Sequence, residues 1–257
     1  MDDGTILILF IAGGVTMTAL AFYMAWKEKR ALAAWAKQRG YTFSEWDTFN
    51  VAGRCRGFPA FNRGRNRRVY NIVYGKYKGY DFCFFRYRYT TGSRKNRSTT
   101  RLQGLLVEGD LCFPCRISMR PEGFLDKLAE VIGFDDVDFE YHEFNKKYFV
   151  KAEDKRVAYD FFGRDVMEYL LMLPRPINLE VLGPHFLFHY RWRMPLKFFD
   201  RMLDTAVGLF SKFDRLTKEK YELTEEAEHW SETFYKASDP LLGGVAPQQK
   251  GKGLFGG

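Results

Sequence analysis

Histidine and cysteine, the residues on which many catalytic and metal sites depend, are scarce in this chain of 257 residues, which has four of each. The motifs of a serine-hydrolase elbow, a phosphate-binding loop and a dinucleotide fingerprint are also absent. These absences favour a protein that is not an enzyme, and they predict neither a cofactor nor a metal. The alternative is a membrane-associated enzyme whose site is not visible in the sequence.

The closest pair of cysteines is Cys112 and Cys115, with the C-x-x-C spacing of redox pairs and of half a zinc site. The other half of a zinc site is missing, because Cys55 and Cys83 stand alone. The pair lies in a predicted strand and not at a helix N-terminus, where a thiolate would be stabilised. We therefore expect buried or incidental thiols.

The histidines form no ligand pattern. His185 and His189 would share one face of a helix, but their segment is predicted to be a strand, in which four residues span about 13 Å. His142 and Glu143 could act as a base and its partner, although neighbours on a strand point to opposite faces. The acidic residues of 135–140 lack the spacing of a calcium loop and are expected to form a solvated turn.

A long apolar segment near the N-terminus is the clearest feature. Residues 6–26 carry no charge, and as a helix they would be about 30 Å long, which matches the core of a bilayer. Acidic residues precede the segment and a basic cluster at 27–30 follows it, unlike a cleaved signal peptide. Because positive charge is retained in the cytoplasm, we expect one span of the cell membrane with the N-terminus outside.

Positive charge is concentrated next to that segment. Residues 27–101 contain 19 Lys and Arg against four acidic residues, while the whole chain has a net charge of +8. A solvated basic face is the favoured interpretation, and anionic lipid headgroups are the candidate partner that competes with it. Nucleic acid is less favoured because no RNA- or DNA-binding signature is present. The candidate residues for contact with lipid or another polyanion are Arg54, Arg56, Arg63, Arg65, Arg67 and Arg68.

The remaining patterns predict an α+β fold, with an antiparallel sheet and packed helices. The clearest is a β-hairpin, formed by runs rich in Val, Ile, Tyr and Phe on either side of Lys78 and Gly79. The predicted strands are 69–77, 80–90, 102–108, 111–119, 143–150, 177–182 and 185–192. The predicted helices are 121–133, 155–173, 195–213 and a charged helix from Thr224.

The expected organisation runs from the membrane into the cytoplasm. It comprises an external N-terminus (1–5), a transmembrane helix (6–26), a juxtamembrane helix (27–42), an α+β cytoplasmic domain (43–216), a charged helix (217–238) and a flexible tail (239–257).

Short motifs occur one after another along the chain, at residues 32–35, 39–41, 67–75, 79–82, 87–91, 143–145 and 149–150. In this order they resemble a group of uncharacterised bacterial, especially actinobacterial, membrane proteins with one N-terminal transmembrane helix and a cytoplasmic domain of unknown function. The resemblance extends from about residue 30 to about residue 215. It implies the same membrane topology, but it implies no activity and no site residue.

These features together predict a single-pass membrane protein whose cytoplasmic domain is a binding or scaffold module with a basic membrane-proximal half. Such a module would recruit lipid or an unidentified protein partner to the membrane. The alternatives are tethering of nucleic acid at the membrane and the membrane-associated enzyme.

Overall fold

The computed structural model describes residues 3–48, 50–122, 135–191 and 194–224. Its helices are α1 Asp3–Gln38, α2 Val51–Arg54, α3 His142–Lys147, α4 Lys155–Phe161, α5 Arg164–Met172, α6 Phe199–Phe210 and α7 Arg215–Lys220. Its strands are β1 Thr42–Trp46, β2 Arg65–Tyr77, β3 Tyr80–Thr91, β4 Ser98–Pro121, β5 Asp135–Val137, β6 Tyr148–Ala152 and β7 Asn178–Tyr190.

The seven strands form one antiparallel sheet centred on β4. Strands β1, β2, β3 and β4 are successive neighbours, and β6 and β5 follow on the far half of β4. Strand β7 pairs with both halves of β4, from Gln103 opposite Tyr190 to Met119 opposite Leu179. The predicted α+β class, with an antiparallel sheet and helices, is confirmed.

The sheet separates two apolar clusters, because successive side chains of a strand point to opposite faces. On one face Phe84 and Leu105 belong to a cluster that also contains buried residues of α1, α4, α5 and α6. On the other face Phe85 and Leu106 pack with buried residues of the segment 51–61. That segment contains α2 and two short 3₁₀ turns.

Only the last third of α1 is packed against the domain. Leu32, Trp35 and Ala36 are buried there, and the Trp35 ring lies 5.5 Å from Phe199 and 6.1 Å from Phe84, measured between centroids. Truncating a buried Trp to Ala costs about 3–5 kcal/mol. This aromatic cluster is therefore a major part of the attachment of α1 to the sheet.

Charge pairs secure the same part of α1. The carboxylate of Glu28 accepts two hydrogen bonds from the guanidinium of Arg86 on β3, one of them at 2.9 Å. The two side chains are 17% and 15% exposed. Lys29 pairs with Glu45 on β1 at 2.8 Å. A mostly buried pair of this kind fixes the position of the helix, because separating the partners would leave a charge in an apolar setting.

The N-terminal part of α1 projects away from these contacts. Every side chain from 11 to 27 is exposed, and Gly13 and Gly14 have open space around them. The helix is continuous through the predicted junction between residues 26 and 27. Among the residues that the structure describes, no helix combines the length and the hydropathy that crossing a membrane requires.

The predicted hairpin is confirmed, since β2 and β3 are joined by Lys78 and Gly79, which both have positive φ. The helix predicted from residue 195 is also confirmed as a 3₁₀ turn at Leu196–Phe198 that continues into α6. The helix predicted at 121–133 lies almost wholly outside the described residues. So do most of the charged helix predicted at 217–238 and the tail predicted at 239–257.

Two predicted breaks in strands were wrong. Strand β4 runs through Gly109 and Asp110, where its register with β7 shifts. The carbonyl of Asp110 and the N–H of Cys112 there bond to the segment after α7. Strand β7 runs through Gly183, because glycine at a φ of +58° lets the chain bend without ending the strand.

The predicted strand at 143–150 and the single helix at 155–173 were also wrong. Residues 142–147 form α3, and the Asn145 side chain bonds both the N–H and the carbonyl of Phe139, which holds the chain in a local turn. The longer helix divides into α4 and α5, because Gly163 has an extended ψ of 163° and begins a second helix.

Removing one partner of the Glu28–Arg86 pair should destabilise the protein more than removing both. We expect Glu28→Leu to lower the free energy of unfolding by about 2–4 kcal/mol, because it leaves a largely buried guanidinium unpaired. Glu28→Leu combined with Arg86→Met should cost less than Glu28→Leu alone. Denaturant unfolding of the full chain in neutral detergent measures these values. Strictly additive effects of the two substitutions would contradict the coupling.

Candidate anion-binding surface

Three arginines lie side by side on neighbouring strands of the sheet. Arg68 on β2 is directly opposite Arg88 on β3, and Arg88 is directly opposite Arg101 on β4. In-register Cα atoms are about 5 Å apart, so the three residues occupy about 10 Å of surface. All three are exposed. We call Arg68, Arg88 and Arg101 the arginine row.

The positive charge of the arginine row is not neutralised within the described part of the chain. No acidic side chain there pairs with any of the three guanidinium groups, and like charges directly across a sheet are destabilising. Arg68 instead lies over the ring of Trp46, with its guanidinium carbon 5.7 Å from the centroid. Trp46 is 59% exposed. An aromatic residue therefore borders a surface of excess positive charge.

Glu28 of α1 lies over the same face of the sheet, and Arg86 engages both of its carboxylate oxygens. Burial lowers the pKa of the Arg86 guanidinium from its ordinary value. Both carboxylate oxygens of Glu28 are therefore engaged by Arg86 on the face that Arg88 shares.

The arginine row lies on the face of the sheet that α1 covers. Side chains alternate along β3, so Phe84, Arg86 and Arg88 share one face. Phe84 contacts Trp35 of α1, and Arg86 pairs with Glu28, which lies about two helical turns closer to the N-terminus of α1. Helix α1 therefore runs antiparallel to β3. Consequently the arginine row lies at the end of the sheet toward which the apolar part of α1 projects.

Other basic and aromatic side chains occur at this end. On α1 the rings of Tyr23 and Trp26 stack at 6.2 Å, and the Arg30 guanidinium lies 4.6 Å from the Trp26 ring. The loop after β3 carries Lys95 and Arg97, which are both exposed. Tyr and Trp next to Lys and Arg are typical of the boundary between membrane and water.

The six arginines predicted from the sequence occupy several environments. Arg68 belongs to the arginine row. Arg65 donates to the carbonyl of Gly92, and Arg67 donates to that of Phe61, both at 2.9 Å. The other three lie on or just after the segment 51–61: Arg54 ends α2, Arg56 is in a 3₁₀ turn and Arg63 lines a small cavity. Contact of these six residues with lipid stays a prediction.

A second cluster lies inside the fold, where β7 bends. The Nε2 atom of His189 is 3.3 Å from a carboxylate oxygen of Glu180, and the other oxygen accepts a hydrogen bond from the N–H of Ala60 at 3.2 Å. The Asn178 side chain also donates to the carbonyl of His189. Nine residues of straight strand would separate Glu180 from His189 by about 30 Å, so the bend at Gly183 is what joins them.

The cavity beside this pair limits its chemistry. Its volume is about 30 Å³, and Arg63, Arg120 and Arg191 line it together with Glu180 and His189. A space of this size holds one or two water molecules. The geometry therefore favours a structural role, in which Glu180 holds the segment 51–61 against β7.

Apart from His189, the residues considered for catalysis and metal binding are not among those that line this cavity. His142 and Glu143 are exposed at the start of α3, and Cys112 and Cys115 lie on β4 as the sequence predicted. His185 and His189 both lie on β7, which confirms the predicted strand. In the described ranges no three His, Cys, Asp or Glu side chains are grouped so that they could hold a metal ion.

Comparison with protein-family models and with curated proteins gives no match. Among solved structures, the chain is similar to the crystal structure of the mycobacterial trehalose monomycolate transport factor A, TtfA. The identity is 12% and the TM-score is 0.49, over 77% of this chain and 98% of that chain.

The thiols of the C-x-x-C pair should behave as ordinary buried thiols. Burial raises the pKa of Cys112 and of Cys115 to about 11. Because alkylation requires the thiolate, its rate should rise about tenfold for each unit of pH from 7 to 10. Mass spectrometry of the iodoacetamide-treated full chain measures this rate, with the urea-unfolded chain as the control. A plateau below pH 9 would indicate a stabilised thiolate and would contradict the structure.

Proposed function

We propose that the protein is a single-pass membrane-anchored module whose cytoplasmic domain binds lipid or a protein partner, with the basic end of its sheet at the bilayer surface. The observation that carries the proposal is the direction of α1. The contacts of Glu28 with Arg86 and of Trp35 with Phe84 direct the apolar part of α1 toward the end of the sheet that carries the arginine row.

The membrane span in this proposal is residues 6–26. The whole stretch is uncharged in the sequence, and Ile11, Val15 and Phe22 are among its exposed apolar side chains. Leaving such side chains in water costs about 25 cal/mol for each Å² of apolar surface. A contiguous exposed apolar surface of this kind marks a site of contact with a membrane or a protein. A bilayer suits it because the exposed side chains surround the helix.

Electrostatics supports the cytoplasmic orientation. Lys27, Lys29 and Arg30 follow the apolar stretch directly, and the arginine row and the basic loop at 92–97 lie at the same end of the sheet. Each Lys or Arg close to an anionic leaflet contributes about 1 kcal/mol of attraction. These charges would hold the domain against the cytoplasmic leaflet, and the remaining surface would be free for a partner.

Cysteine labelling in intact bacterial cells tests the span and its direction. A membrane-impermeant maleimide should label Gly4→Cys in intact cells but should label Met172→Cys only after lysis, because residue 172 is exposed on the domain. The parent chain gives the background from the native cysteines. The chain should also stay in the membrane pellet after alkaline carbonate. Labelling of Met172→Cys in intact cells would contradict the direction, and release by carbonate would contradict the span.

A further inference from the structure

We infer that the arginine row binds the phosphate of a lipid headgroup that carries two negative charges, that is, a phosphomonoester headgroup. The inference rests on the proposed function, because the placement of the row at the bilayer surface is what makes a lipid the source of the phosphate. It goes beyond the proposed function by naming the binding residues and the chemistry of their ligand.

The spacing of the row suits a single anion. The three Cα atoms lie within about 10 Å, and each arginine side chain is long enough to bring its guanidinium toward the central residue, Arg88. The guanidinium is a planar fork that matches phosphate oxygens with two parallel hydrogen bonds. A phosphate above Arg88 could therefore accept hydrogen bonds from all three side chains.

The charge of the arginine row indicates how much negative charge the ligand must carry. Arg68, Arg88 and Arg101 place three positive charges directly across the sheet from one another, an arrangement that is destabilising without an anion. The acid one step along the same face, Glu28, is already engaged at both oxygens by Arg86. A phosphomonoester carries about −1.5 to −2 charge at pH 7, whereas a phosphodiester carries only about −1. The monoester therefore neutralises more of the row.

The surroundings of the row favour a lipid over a soluble phosphate. Trp46 borders Arg68, more than half of this residue is exposed, and exposed Trp is typical of the membrane interface. On α1 the stacked Tyr23 and Trp26 lie between the packed part of the helix and its apolar part. A lipid whose headgroup lies between these aromatic residues and the arginine row would place its phosphate at the row. Its acyl chains would then lie beside the apolar part of α1.

Titration calorimetry of the full chain in neutral detergent micelles tests the inference. The probes are a short-chain phosphatidic acid, which has a phosphomonoester, and the phosphatidylglycerol of the same chain length, which has a phosphodiester. We expect the phosphatidic acid to bind at least tenfold more tightly than the phosphatidylglycerol. Arg88→Gln combined with Arg101→Gln should weaken the binding of phosphatidic acid at least tenfold.

The matched control is Arg164→Gln combined with Arg215→Gln. It removes the same two charges from side chains that are 84% and 85% exposed, on α5 and α7. Its affinity for phosphatidic acid should stay within twofold of the parent chain. The row variant should also unfold at the same temperature as the parent chain or higher, because the substitution relieves like-charge repulsion. Thermal unfolding thereby separates loss of binding from loss of the fold.

Three results would overturn the inference. Equal loss of affinity in the row variant and the control would show that only net charge matters. Equal affinity for the two lipids would exclude selection of the phosphomonoester. Inorganic phosphate that competes at the same concentration as the lipid would exclude a lipid as the specific source. The failure of the inference can be told apart from the failure of the proposed function. If the row variant still shows the expected cysteine labelling and stays in the membrane pellet after carbonate, the proposed function stands although the inference fails. Release of the parent chain by carbonate would contradict the proposed function itself.

Discussion

The attachment of α1 to the sheet is the constraint on which the rest of the account depends. The Glu28–Arg86 pair and the Trp35 cluster hold the last third of one long helix, so the direction of its exposed part is fixed relative to the strands. Either contact alone would position the helix loosely. An apolar contact is not directional, whereas a doubly hydrogen-bonded ion pair sets both register and rotation. Together they set the end of the domain that faces the apolar segment.

Arg86, the charged residue of β3 in that attachment, lies next to the arginine row on the same face of the sheet. Arg86 engages both oxygens of Glu28 on α1, and Arg88 is the next residue of β3 on the same face. Strand alternation places Arg88 toward α1, and cross-strand register adds an arginine on each side. Excess positive charge at this point thus follows from the strand register, and an anion would relieve the repulsion between the arginines.

Parts of the fold could be predicted from the sequence, but the arginine row could not. The hairpin was predictable because its runs and its turn are local signals. The arginine row was not, since a regular hairpin around Lys78 and Gly79 would place Arg68 opposite Tyr89. Asn71, at a φ of +52°, lies where the register shifts, and this irregularity moves Arg68 opposite Arg88. The bend at Gly183 that brings Glu180 to His189 is likewise a long-range effect that a local pattern does not show.

The orientation of the domain on the bilayer can be measured along a single strand. Strand β3 has 12 residues, and its two ends are about 35 Å apart. Asn96 is in the loop at the arginine end, and Lys76 is near the opposite turn; both are exposed. The measurement is energy transfer from a headgroup-labelled lipid to a fluorophore at either position, in the full chain in lipid nanodiscs. The account predicts strong transfer to residue 96 and weak transfer to residue 76, and equal or reversed efficiencies would contradict it.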